Sequence, residues 1–459
     1  MSDLLVKCSL RPPLPRDDHE TADHTHEPSW RCFGCSSSVT LIRLVCGVVK
    51  AFNRAPWKAL RGIGSGQELR RRLPHNAYSL LSAAWRNETK SAIGIRAAQP
   101  MNAHRPDIDG LRGIACLFVL VAHSLSNHFY PEGAWLLAGT GGIGVILFFV
   151  LSASLLTVRL SEDGLAPKSL VAYAVARFVR ILPMFWIAVV VYFAFGEIDI
   201  LTVNLLWTAL TFQTWHWHLW TIPIELQFYL LLPVILIASA AVTRKSPYLS
   251  IAILLISAVA LDLYWQANGD LSRNTLARYL PSFAGGVVVA LALLHLPRPS
   301  IRISTAIGGV GFFGVVALTI LMKSGLLTEP RQSLFRVHNL YGMLWSLATY
   351  SVFVSGTVWS RWLSWAPLAA FGKTIYSTYL FHYLLVILIA RQPEWWRVPA
   401  CILTSIAVGW AVHHFVERRM GKLRAPITRV LTRSSSAQFK SHLLRDGGVY
   451  TSPTSDRAT

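Results

Sequence analysis

A succession of apolar segments, each close to the length of a bilayer crossing, constrains this chain more than any other feature. They lie at about 111–130, 139–158, 181–197, 225–242, 249–266, 278–295, 303–322, 340–358, 374–391 and 398–416. A hydrocarbon core about 30 Å thick needs ~20 apolar residues of helix to cross it. A membrane β-barrel would instead alternate apolar and polar residues in segments of ~10. Only 14% of the 459 residues are charged and 53% are hydrophobic, whereas soluble domains carry roughly 25% charge. The expected fold is all-α, a polytopic membrane protein with about ten transmembrane helices.

The formal net charge is +20. In a soluble protein that balance would suggest nucleic acid. Here the basic residues concentrate in the N-terminal region, the tail and particular loops, which favours positive-inside topology and anionic lipid over nucleic acid as the partner. Arg159, Lys168, Arg177 and Arg180 follow the second segment; Arg244 and Lys245, Arg298 and Arg302, Arg361 and Lys373, and Arg418, Arg419, Lys422 and Arg424 mark later loops. With ten crossings these loops fall on one side and both termini are cytoplasmic, in the cell membrane. A further apolar stretch, 198–213, would invert every later loop if it crossed. It is therefore expected to stay at the outer interface, with Trp207, Trp215, Trp217 and Trp220 as an aromatic belt. The outer loops at 323–339 and 391–397 also hold basic residues, against the trend.

Residues 1–105 read as a basic, disordered extension, with Met101 as an alternative start and a cytosolic regulatory tail as the other reading. They show no signal-peptide pattern. Cys32 and Cys35 form a lone CxxC, a weak zinc or redox signal, so no metal site is expected. Residues 106–420 form the membrane domain, and 421–459 read as a disordered cytoplasmic tail.

Ionisable residues within membrane segments are expensive and point to function. In the first segment Arg112 and His123 stand eleven residues apart. At ~100° and ~1.5 Å per residue they share one helical face about 16 Å apart along the axis. Asp109 is placed to cap that helix. Cys116 lies on the same stripe but about 10 Å from His123 along the axis, too far to form a nucleophile–base pair. In "TWHWHLWTIPIELQFY" stand His216, His218, Trp220 and Glu225. Glu225 is expected to share a site with His123, because a carboxylate beside an imidazole fixes its tautomer and raises its basicity. Arg177 and Arg180, three apart just before Pro183, suit phosphate binding or ordinary positive-inside charge. Tyr379 and His382 are polar in mid-span.

Together these stretches resemble the acyltransferase 3 family of integral-membrane acyltransferases. "DGLRGIACLFVLVAHS" resembles its opening Arg–His signature, and "GVILFFVLSASL" its second-helix pattern. "RFVRILPMFW" is similar to the Arg-x-x-Arg-x-x-Pro element, "HLWTIPIELQFYLLLP" to the segment bearing its Glu. "RYLPSFAGGVVVALAL", "FGKTIYSTYLFH" and "FVERRM" follow in order, over about residues 106–420. The sequence departs from the family at Ala153, Ala176 and Pro223, where Gly, Arg and Ser are usual.

The resemblance implies transfer of an acyl group, most often acetyl, from cytoplasmic acyl-CoA to a hydroxyl of a cell-surface carbohydrate or glycoconjugate, with no bound cofactor. On that reading Arg177 and Arg180 hold CoA phosphates and Arg112 stands at the entrance of a path. His123, with Glu225, acts as general base or acyl relay, and His218, Trp220, Tyr379 and His382 support the acceptor side. Ser152 and Ser154 are weaker nucleophile candidates, since each can bond its own helix. The rival class is a transporter of a glycoconjugate or metabolite, which inverted repeats would favour; none is visible. The acceptor, the acyl chain and the oligomeric state are left open by the sequence.

Overall fold

The computed structural model describes residues 105–128, 140–197, 200, 202–213, 217–268, 275–324, 337–389 and 394–422. The N-terminal extension with its CxxC pair, His216, and the C-terminal tail from residue 423 lie outside the described residues. All described residues fall in one compact unit, 74–459.

Within these residues the chain is helical, as its apolar runs predict. The helices are α1 (Pro106–His128), α2 (Gly141–Asp163), α3 (Pro167–Phe195), α4 (Val203–Leu210), α5 (Thr221–Lys245), α6 (Pro247–Asn268) and α7 (Leu276–His295). They continue as α8 (Ile301–Lys323), α9 (His338–Phe353), α10 (Val358–Leu363), α11 (Ala366–Lys373), α12 (Ile375–Ile389) and α13 (Arg397–Val412). A 3₁₀ turn, Trp217–Trp220, leads into α5, and a π turn, His413–Glu417, follows α13. Helices satisfy every backbone group internally, which lipid demands.

Eight helices among the described residues are long and apolar enough to cross a membrane, and α11 with α12, bent by 78°, could make a ninth. The expected 340–358 crossing is realised as α9, only 16 residues long, or about 24 Å of helix. The 198–213 candidate forms only the eight-residue α4, which opens on the Thr202 side chain accepting from Leu205 N at 3.2 Å. Trp207 is exposed on it.

α2 sits at the centre and α6 at the periphery: 78% of the apolar window of α2 is buried, against 6% for α6. Small residues let α2 approach its neighbours. A Cβ on Gly144 would lie 2.3 Å from the Ala115 carbonyl oxygen, and one on Gly286 2.3 Å from that of Val150. Membrane helices associate through such close backbone contacts because lipid offers no hydrophobic driving force between them. Trp345, fully buried, donates its indole N–H to Ile143 O at 3.0 Å.

The start of α1 is locked to the other helices. Buried Asp107 accepts from Arg105 Nε at 3.0 Å and from Ser360 Oγ at 2.7 Å, while Arg105 also donates to the carbonyls of Val352 and Phe353. α1 begins at Pro106, five residues before the apolar run. Asp109 therefore lies inside the first turn and not at the cap, and it pairs with Arg112 at 3.7 Å. α3 likewise starts at Pro167 and carries Arg177 and Arg180 within a continuous helix that runs through Pro183.

Candidate active site

Two polar levels lie along α1. At the level of Arg112, a cavity of about 120 Å³ is lined by Arg112, Ser152, Arg177, Arg180, Glu225, Tyr229, Tyr376 and Tyr379 among apolar residues. α1 supplies Arg112, α2 Ser152, α3 the arginine pair, α5 Glu225 and Tyr229, and α12 the two other tyrosines. Arg177 and Arg180 share a face because they are three residues apart on α3. One oxygen of the Glu225 carboxylate accepts hydrogen bonds from both Ser152 Oγ and Tyr229 Oη. Tyr229 stands four residues after Glu225, on the same face of α5. Ser154, by contrast, bonds the carbonyls of Val150 and Gly286.

At the level of His123, three histidines meet. His123 Nδ1 lies 2.8 Å from His382 Nε2, with nearly parallel ring planes. His382 Nδ1 lies 2.7 Å from Tyr379 O. A carbonyl only accepts, so Nδ1 of His382 carries the proton. With the rings neutral, His382 Nε2 is then an acceptor and His123 Nδ1 its donor. The proton-accepting nitrogen of His123 is Nε2, beside Gly141: a Cβ built there would stand 3.5 Å from it.

His218 packs on His382 with ring centroids 5.0 Å apart. Its Nε2 lies 3.2 Å from Leu380 O and 3.4 Å from Tyr192 Oη. Tyr192 is fully buried, donates to Leu380 O at 3.0 Å and accepts from Leu384 N at 3.0 Å.

Tyr379 joins the two levels. It lines the cavity. Its carbonyl holds His382, and its hydroxyl donates to His218 O at 2.7 Å and accepts from Thr221 Oγ1 at 2.9 Å.

The structure thus groups Arg112, Arg177, Arg180, Glu225 and Tyr379 around one cavity, and His123, His218, His382 and Tyr379 in one cluster. Glu225 is not hydrogen-bonded to His123: its carboxylate is taken up by Ser152 and Tyr229, and the imidazole partner of His123 is His382. The reason is geometric. α5 begins at Thr221, so Glu225 lies one turn deeper than a helix start at 225 implies. Trp220 stacks on Tyr279 of α7 at 5.2 Å. Sequence reasoning missed Tyr192, Tyr229 and the Ser152 contact. Tyr229 had a signal in its i+4 spacing from Glu225, whereas Tyr192 is one aromatic among many in an apolar run. Cys116 is fully buried.

A family model described as an acyltransferase domain (acyltransferase 3) covers residues 105–414. The chain is 26% identical to Peptidoglycan O-acetyltransferase OatA of Listeria monocytogenes, over 69% of this chain and 56% of that protein. It is 26% identical to YrhL of Bacillus subtilis, over 68% of this chain and 54% of that protein. The chain therefore spans about half the length of these curated relatives. No solved structure matches it. The family match takes in both polar levels and more than half of the sequence, so the chain belongs to the acyltransferase 3 family.

Proposed function

We propose that this chain is a membrane O-acyltransferase. It takes an acyl group, acetyl in the first instance, from acyl-CoA at the Arg112 level and passes it to a carbohydrate hydroxyl at the His123 level. The observation that carries this reading is the connection of the two levels through Tyr379. A guanidinium-lined cavity and a histidine with a fixed tautomer stand on either side of one side chain. Arg177 and Arg180 suit the donor's diphosphate, because guanidinium groups bind phosphate oxygens in a fixed fork. Arg112 stands where the thioester arm enters the bundle.

At the other level a hydroxyl is a poor nucleophile until its proton is removed. His123 Nε2 takes that proton as the hydroxyl oxygen bonds to the acyl carbon. The carbon–sulfur bond breaks, and the proton passes to the departing thiolate. Alternatively, Nε2 itself carries the acyl group between thioester and hydroxyl. A trapped acyl-imidazole, seen by mass spectrometry of the intact protein, separates the two routes.

Basic residues such as Arg244, Lys245, Arg298 and Arg302 gather at helix ends and loops that ten crossings would place together. Positive-inside topology makes that side, and both termini, cytoplasmic. The donor would then meet the protein from the cytoplasm and the acceptor from outside. OatA, by its name, acts on peptidoglycan, which makes a cell-envelope glycan the first acceptor to test. The test compares glycans by mass spectrometry from gene-deleted cells carrying wild type or His123→Ala. Wild type restores an ester that mild base removes, and His123→Ala does not. Full restoration by His123→Ala would refute the assignment.

A further inference from the structure

A second, larger cavity of about 820 Å³ lies beside the Arg112 cavity and shares Arg112, Arg180, Ile375 and Tyr376 with it. Its size is in the range of small-molecule sites, and no part of the proposed reaction has yet used it. Lys373 and Arg418 extend its lining beyond the shared arginines. Both are exposed, and neither has an ion pair among the described residues. Two carboxylates also line it, but each is already engaged. Asp109 pairs with Arg112 at 3.7 Å, and Glu417 accepts from Ser377 Oγ at 2.6 Å and bonds His413 Nδ1 at 2.9 Å. The two remaining cations are thus free to meet an anion.

Aromatic side chains also line this cavity. Trp410 lines the cavity, is half exposed, and stacks on His414 with ring centroids 4.4 Å apart. His414 is fixed through Nδ1 to Trp410 O at 2.9 Å. The π turn His413–Glu417 lies beside this cavity, and its Glu417 accepts from Ser377. Such π bulges are frequent at functional sites. A half-exposed indole beside unpaired cations suits a nucleobase carrying phosphate. An anionic lipid headgroup would satisfy the cations but leave the indole unused.

We infer that this vestibule binds the nucleotide end of the donor, with the purine on Trp410 and the ribose phosphate on Lys373 and Arg418. The inference rests on the acyl-CoA reading above and deepens it. The diphosphate then lies at the shared Arg180, and the thioester arm enters the inner cavity past Arg112.

The test measures binding of CoA, 3′-dephospho-CoA and pantetheine to the full chain in phosphatidylcholine nanodiscs, which contain no anionic lipid, with acetyl transfer followed in parallel. Wild type is expected to bind CoA at least about tenfold more tightly than 3′-dephospho-CoA, the size of a charge-assisted phosphate contact. The Lys373→Ala/Arg418→Ala double variant should bind the two alike. Trp410→Leu should weaken both nucleotides and leave pantetheine unchanged. Melting profiles matching wild type establish that the variants fold. Equal binding of CoA and 3′-dephospho-CoA by wild type, or an undiminished gap in the double variant, overturns the inference. Wild-type nucleotide binding by Trp410→Leu overturns it too. Acetyl transfer without phosphate discrimination removes the vestibule alone, whereas discrimination without acetyl transfer removes the acyltransferase reading and leaves the vestibule standing.

Discussion

His123 and His382 are joined ring to ring, Nδ1 to Nε2 at 2.8 Å, and Tyr379 O anchors the far nitrogen of His382 at 2.7 Å. This chain of two hydrogen bonds decides which nitrogen of His123 can accept a proton. On the proposed mechanism the pair has unequal roles. His123→Ala removes the base and should lower the rate by about 10²- to 10⁴-fold. His382→Ala leaves the base but frees its tautomer, and should fall at the low end of that range, roughly 100-fold. His382→Gln, whose amide oxygen can still accept from His123 Nδ1, should recover part of the loss. A pH–rate profile shifted in His382→Ala and returned toward wild type in His382→Gln identifies positioning rather than loss of fold.

Glu225 makes a different prediction from the one its motif suggests. Its carboxylate is bonded to Ser152 and Tyr229. Glu225→Ala strands two hydroxyls, each worth about 1–3 kcal/mol when left unsatisfied. Glu225→Gln keeps an acceptor. Thermal unfolding in detergent should show a marked loss for Glu225→Ala and little for Glu225→Gln. Equal losses would mean that the carboxylate charge, and not the hydrogen bonds, holds this region.

On the proposed mechanism Arg177 and Arg180 serve the donor alone. Arg177→Ala and Arg180→Ala should each raise the donor KM by roughly tenfold, the loss of one charge-assisted hydrogen bond, with the acceptor KM unchanged. Initial-rate kinetics with each substrate varied in turn checks this. A raised acceptor KM would put the arginines at the wrong level.

Gly372, near the end of α11, lets that helix close on the start of α1. A Cβ on Gly372 would come within 1.8 Å of Asp109 O, the backbone of the turn that carries Arg112. Overpacking of this kind costs about 1–3 kcal/mol. Gly372→Ala should lower the melting midpoint and weaken donor binding together, while Gly421→Ala, with nothing within 4 Å of its added Cβ, should do neither.

The membrane class and most helices were legible in the sequence because apolar length is a direct reading of the solvent. α2, α6 and α8 lie within a few residues of their apolar runs. α3 was cut short because hydropathy stops at Arg177 and Arg180, although the backbone stays helical through them and through Pro183. The rotation of each helix was less legible. Arg112 and His123 share a face of α1 by arithmetic, but which residue of α12 or α5 meets them depends on packing between segments far apart in the chain. Tyr379 and His382 could therefore be singled out as polar while the His123–His382 bond could not. Glu225 could be matched to a motif, yet its partners came from α2 and its own next turn.

The central claim is that His123 stands between a donor on one side of the membrane and an acceptor on the other. Proteoliposomes test it most directly. Labelled acetyl-CoA is supplied only on the side of Lys245 and Arg302, a peptidoglycan-derived oligosaccharide only on the opposite side, and hydroxylamine-labile label on the oligosaccharide is measured. Wild type should label the oligosaccharide across the bilayer, and His123→Ala should fall to background. Undiminished labelling by His123→Ala, or labelling only when donor and acceptor share one side, would contradict the account.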